Sequence, residues 1–179
     1  TKRNITVVPP LLRPQIERLE AANEDYYLIY ILNSGYAHDL IEWHTENPTI
    51  KIEIFWDDIS FPNPYQPFKN LSFHHLNGEL FLNKMARCKA LITTAGFESV
   101  SEALYLGKRV GVVPVKGHYE QKLNSFDALL TNVCVRNDEL DLNILIPKIL
   151  ELDQRKFNKH WIQSGNKHIS NEIGKLLNK

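Results

Sequence analysis

Two short loops in this 179-residue chain pair a glycine with the expected start of a helix: Asn33-Ser34-Gly35-Tyr36 and Thr94-Ala95-Gly96-Phe97. A glycine lets another group approach the backbone closely, and a helix start presents N–H groups without intrahelical partners at the positive end of the helix dipole. Together they suit an anion, and a pyrophosphate is a natural guest. A third loop, residues 114–119, leads into Glu120-Gln121, with Asn124 one helical turn on. Neither G-x-G-x-x-G nor G-x-x-x-x-G-K-[ST] occurs, which argues against a dinucleotide dehydrogenase and a P-loop ATPase. Metal binding is not expected: C-x-x-C and H-E-x-x-H are absent, and His74 and His75, neighbours on one strand, point to opposite faces. The two cysteines, Cys88 and Cys134, make no disulfide framework and read as small core residues in a reducing compartment.

Such loops act only if a scaffold aims them. Residues 26–32 (YYLIYIL) form a continuous apolar run, the mark of a strand covered on both faces. Further strands are expected at residues 50–55, 71–75, 90–93, 110–113 and 133–135. Helical periodicity fills the gaps at residues 37–46, 79–87, 97–106 and 120–130, the last burying Leu123, Phe126 and Leu130. Leu142, Leu145, Ile146, Ile149 and Leu150, and later Ile169, Ile173, Leu176 and Leu177, read as terminal helices. Strands alternating with helices predict a Rossmann-like, doubly wound, mainly parallel α/β sheet of about six strands with helices on both faces. Such sheets bind ligands beyond the carboxyl ends of their strands, where all three loops fall. Residues 57–69, with three prolines, read as an irregular connection.

Composition removes other classes. Twenty-one basic residues balance twenty-one acidic ones, so no global field recruits nucleic acid. No apolar run approaches the roughly 20 residues of a membrane helix, and no secretory signal opens the chain, so a cytoplasmic location is expected. Residues 7–14 (VVPPLLRP) hold three prolines, and residues 1–20 read as an interdomain linker and entry segment ahead of one domain over residues 21–179. The chain opens on Thr1 and its only methionine is Met85, so a piece of a longer protein is expected.

Residues 91–125 resemble the carboxyl-terminal, donor-binding domain of GT-B glycosyltransferases. They are similar above all to the lipid-linked N-acetylglucosaminyltransferase of peptidoglycan synthesis and related bacterial and archaeal transferases. The likeness rests on Thr94-Ala95-Gly96, Ser101-Glu102-Ala103, Leu106-Gly107-Lys108, Val113-Pro114, Glu120-Gln121 and Asn124-Ser125 in order. It implies that Gly96, Phe97, Glu98 and Ser99 face the diphosphate. Glu102 would take the ribose hydroxyls, Glu120 and Gln121 the sugar, and Asn124 would hold their loop. His75 and Leu76 would sit at the base. Glu98, Glu102 and Tyr105 share the polar side of their helix, and Glu98, so close to a diphosphate, should point away or meet a base such as Lys116. The D-x-D pair that carries metal in the other large glycosyltransferase fold is absent.

The resemblance implies a metal-independent transferase half without cofactor. It would hold a nucleotide sugar, most readily a UDP-sugar, for transfer of a hexosyl group to an acceptor hydroxyl. A missing amino-terminal domain would supply the acceptor site, the general base and any peripheral membrane contact. The same features would serve a nucleotide-sugar hydrolase or 2-epimerase, or a non-catalytic subunit of a two-chain transferase.

Overall fold

The structure, a computed structural model, describes residues 6–31, 34–153 and 159–177. Its centre is a seven-stranded sheet in the order β3-β4-β2-β1-β5-β6-β7. The strands are β1 (Tyr27–Tyr30), β2 (Ile52–Trp56), β3 (Tyr65–Phe68), β4 (Leu71–His75), β5 (Ala90–Thr93), β6 (Arg109–Val112) and β7 (Cys134–Arg136). All neighbours are parallel except β3, which pairs antiparallel with β4 at the edge. The doubly wound fold expected from the alternating runs is therefore present, with one strand more than the six expected. That strand lies in the proline-rich stretch read as irregular. An edge strand needs a partner on one side only, so Pro67 costs it no essential ladder bond.

The helices are α1 (Tyr36–Glu46), α2 (Gly78–Arg87), α3 (Phe97–Tyr105), α4 (Tyr119–Leu129), α5 (Leu142–Glu151), α6 (Lys159–Gln163) and α7 (Gly165–Leu177). Leu40 of α1 and Leu142, Leu145 and Ile149 of α5 pack on one sheet face with Ile29, Ile54 and Ile92. Phe81 and Met85 of α2, Val100 and Leu104 of α3 and Ala128 of α4 pack on the other with Leu28, Phe55 and Leu91. Strand residues alternate between these two cores, as the period of two requires.

Two expectations about packing are corrected. Leu123, Phe126 and Leu130 do not enter the core: they are 50%, 47% and 77% exposed. α4 instead turns Ser125 and Ala128 inward. Small residues let it lie close to α3, and the guanidinium of Arg136 covers the Phe126 ring at 4.6 Å. The segment over residues 7–14, read as a stiff linker rather than core, is packed against the domain. Pro9 and Pro10 are buried, and Leu12 and Ile16 join the α2–α3 core. Gly165 opens α7 against this segment, where a Cβ would lie 2.8 Å from the Pro10 carbonyl oxygen, too close for any side chain.

Cys88 and Cys134 are buried and free. Burial pushes their thiols up to about 12 and about 11, so they are neutral core groups near pH 7.

α2 is docked by a buried ionic cluster. Glu53 on β2 accepts from His74 Nε2 at 2.6 Å and pairs with Lys84 of α2 at 3.1 Å. Burial alone would raise the Glu53 carboxyl, but the bonds from His74 and Lys84 outweigh it and hold the group below its ordinary value. A depressed folded pKa contributes stability that is present above the unfolded value, about 4.3, and is lost as pH falls through the folded one. Glu53→Gln is accordingly expected to unfold about 3 kcal/mol more readily near pH 7. Urea titrations at pH 7 and pH 3.5 should show this difference shrink in acid.

Candidate functional site

The chain reverses direction across the sheet at β1. It runs outward through β2 to the β3 edge and back into β4, then returns to β5 on the other side of β1. The carboxyl ends of the strands on either side of such a switch point form a crevice. A cavity of about 540 Å³ occupies it, with lining from the ends of β1 and β2, the loop after β4, the start of α3 and Glu120 of α4.

The turn from β5 into α3 is built on Ala95 rather than on its glycine. Ala95 takes the positive φ, 22°, and is fully buried. Asn124 of α4 donates to its carbonyl oxygen at 3.3 Å. Gly96 has φ −68° and ψ 130°, a conformation open to any residue. A Cβ on Gly96 would meet nothing nearer than Ser99 Oγ at 3.5 Å. Neither backbone nor packing therefore demands a glycine here, and what its hydrogen leaves open is cavity.

Helix caps show the same asymmetry. α2, α4 and α5 have side-chain caps from Asn77, His118 and Asp141. α1 and α3, the helices behind the two glycine loops, have none. Of these two starts, among the described residues that of α3 lines the cavity, beside the capped starts of α2 and α4, so its first-turn N–H groups and the positive dipole end face the space.

The lining divides into two chemistries. Tyr30, Phe55 and Phe81 pack their rings together, with centroids 4.7 Å apart for Tyr30 and Phe81 and 5.4 Å for Phe55 and Phe81, and Leu76 adds a half-exposed apolar side chain to the lining. Burial pushes the Tyr30 phenol up, so it stays neutral. Arg13, the α3 start and Glu120 are polar. Arg13 comes from the entry segment, 89 residues from its partner Glu102. Its Nε and Nη2 donate to the two Glu102 oxygens at 2.6 and 2.5 Å. Glu102 raises the Arg13 pKa further, so the guanidinium stays charged at any working pH.

Of the residues singled out in the sequence, Leu76, Gly96, Phe97, Glu98, Ser99 and Glu120 line this cavity. Ser99 Oγ bonds back to the Gly96 carbonyl at 3.3 Å. Glu102 is not on a polar helix side: it is fully buried, because the entry segment lies over that face of α3. Glu98 meets Arg13 at 3.9 Å rather than Lys116. Gln121 accepts from the Val115 N–H at 2.9 Å and so closes its own loop, while Asn124 holds the Ala95 turn instead of that loop. His75 bonds the Phe61 carbonyl at 2.9 Å, and Thr94, Ser34 and Gly35 do not line the cavity. Asn33 lies outside the described residues. The sequence reading missed Arg13, Tyr30, Phe55, Asn77, Gly78 and Phe81 as lining residues. The one available signal was Glu102 itself, a carboxylate among Ser101, Ala103 and Leu104 that needs a cation once buried. Among the described residues no cluster of three or more His, Cys, Asp or Glu could hold a metal, and no helix is long and apolar enough to cross a membrane.

Comparison with known proteins gives a consistent family and fold. Residues 1–149 match the model of glycosyl transferase family 1. No curated protein matches the chain. Among solved structures, the chain is similar to the glycotransferase of kitacinnamycin, with TM-score 0.75, 13% identity and coverage of 98% of this chain and 50% of that one. It is also similar to CalG4, the calicheamicin glycosyltransferase, with TM-score 0.61, 16% identity and coverage of 96% and 44%. The spinosyn rhamnosyltransferase SpnG, complexed with thymidine diphosphate, gives TM-score 0.53, 16% identity and coverage of 87% and 43%. At these identities the likeness is one of fold. The chain spans about half the length of these structures.

Proposed function

Because the chain belongs to glycosyl transferase family 1, we propose that it is the donor-holding half of a GT-B transferase, binding a nucleotide sugar in the cavity at the α3 start. One observation carries this reading: an uncapped helix start, a glycine that its own backbone does not need and a charged arginine meet in one cavity beside a cluster of aromatic rings. The rings suit a nucleobase, and the α3 N–H groups with Arg13 suit a diphosphate.

In transfer, an acceptor hydroxyl attacks the anomeric carbon and the bond to the nucleoside diphosphate breaks, leaving negative charge on the phosphate oxygens. Fixed N–H donors and a fixed guanidinium stabilise that charge without a metal and without reorganising as it forms. Glu120, on the same lining, is placed to accept from donor-sugar hydroxyls. The acceptor site and the general base belong to another half, joined ahead of this one or encoded separately. Any peripheral membrane contact belongs to that half as well, and the location is cytoplasmic.

UDP is the first candidate nucleotide, on the resemblance of the motif run over residues 91–125 to the peptidoglycan transferase group. Thymidine diphosphate is the second, because SpnG is complexed with it. Calorimetry should show UDP or thymidine diphosphate binding the 179-residue chain below roughly 1 mM, a Kd equivalent to about −4 kcal/mol. Absence of heat with both at millimolar concentration would sink the proposal.

A further inference from the structure

The donor cavity carries more negative charge than an uncharged sugar on a diphosphate calls for. Its lining holds one guanidinium, Arg13, and two carboxylates, Glu98 and Glu120. Arg13 already faces a further anion, Glu102, through Nε and Nη2, and Glu98 stands 3.9 Å from the same Nε. The diphosphate of a donor adds negative charge again, and a helix start returns only about half a unit. Lys116 and Lys122, the cations nearest Glu120 in the chain, do not line the cavity.

Helix dipoles do not account for this placement. The starts of α2, α3 and α4 all reach the lining, and each first turn holds a glutamate: Glu79, Glu98 and Glu120. Glu79 serves its helix from outside the cavity, as an acid needed only by the dipole can. Glu98 and Glu120 stand on the wall itself. The Glu98 side chain is 66% exposed there, and Glu120 has no ion pair among the described residues. A carboxylate beside a bound sugar can accept from hydroxyls, but a protonated amine answers it with donors and charge together.

We infer that the donor is an amino sugar: a nucleotide-linked hexose with a free, protonated amino group, held by Glu120 with Glu98 as the second anion. The inference rests on the donor-binding reading of the cavity and names the class of sugar within it. A hydroxyl or an acetamido group at the same carbon brings no charge, so the site separates the free amine from both.

UDP, UDP-glucose, UDP-N-acetylglucosamine, UDP-glucosamine and UDP-4-amino-4-deoxyglucose should be titrated by calorimetry, with EDTA present, into the wild-type chain and Glu120→Gln, with circular dichroism to check folding. At about pH 6.5, where the sugar amine is protonated, one of the two free amines should bind wild type at least fivefold tighter than UDP-glucose, and the acetamide should not. At about pH 9.5 that advantage should vanish. Glu120→Gln should abolish it at pH 6.5 and bind bare UDP about twofold tighter, because a like charge has gone. A variant that only loosened the fold would weaken every ligand together. The inference is overturned if both amines bind wild type less than fivefold tighter than UDP-glucose, or if the advantage survives at pH 9.5 or in Glu120→Gln. It falls as well if magnesium in place of EDTA tightens UDP-glucose fivefold in wild type and not in Glu120→Gln, since the carboxylates would then hold a metal. The wild-type arms decide even where the variant fails to fold. If wild type binds no UDP at all, the donor-binding reading falls first, a result distinct from UDP binding without preference for an amine.

Discussion

Gly96→Asp is expected to stabilise the chain slightly while removing on the order of a hundredfold of its affinity for UDP. The glycine sits at the cap of α3 with extended backbone angles and no strain for a side chain. An aspartate there can accept from the first-turn N–H groups that now have no side-chain partner, and its charge suits the helix dipole. The gain should be about 0.5 to 1 kcal/mol, or about 2 °C in the unfolding midpoint for a chain of this size. The same carboxylate would occupy the donors proposed for the diphosphate and repel it. Thermal unfolding and calorimetry on one preparation test both halves. Undiminished UDP binding in a stabilised variant would show that the anion does not sit at the α3 start.

Lys108→Met is expected to be as damaging to stability as Glu53→Gln, again at a residue away from the cavity. Lys108 is 1% exposed at the start of β6, yet its ammonium donates to the carbonyl oxygens of Ala22 and Cys88 and to Asn23 Oδ1. It thereby ties the stretch between the entry segment and β1, and the α2–β5 connection, to the sheet. Methionine fills similar volume but leaves these buried acceptors without their donor, which costs about 3 kcal/mol. With an m-value of about 2 to 3 kcal/mol per molar urea, the midpoint should fall by about 1 to 1.5 M. An unchanged midpoint would mean that water replaces the ammonium freely, contrary to its burial. UDP affinity measured well below the midpoint should hold, because Lys108 does not line the cavity.

How much of this was legible in the sequence differs by level. The strand positions were, because continuous apolar runs such as residues 26–32 have few alternatives to a doubly covered strand. The α3 start was legible as a cavity-facing turn for the same local reason, although the residue that takes the positive φ is Ala95 and not Gly96, and Ser34 and Gly35 of the other glycine loop do not line the cavity. The β3 edge was not, since three prolines around a four-residue strand erase its periodicity. The inward face of α4 was misread because a hydrophobic pattern marks which side of a helix is apolar, and the core there accepts small residues instead.

The chain's own order of residues determined an α/β sheet, its crevice and the helix start that faces it, since all of these follow from local periodicity and turn chemistry. Only the tertiary structure decided that Arg13 lies on Glu102. The two are 89 residues apart, and one sits in a proline-rich segment whose composition resembles a linker. Nothing local to either residue encodes the other. The pairing arises because burying Glu102 under the entry segment demands a cation, and the chain crossing above α3 supplies the one within reach.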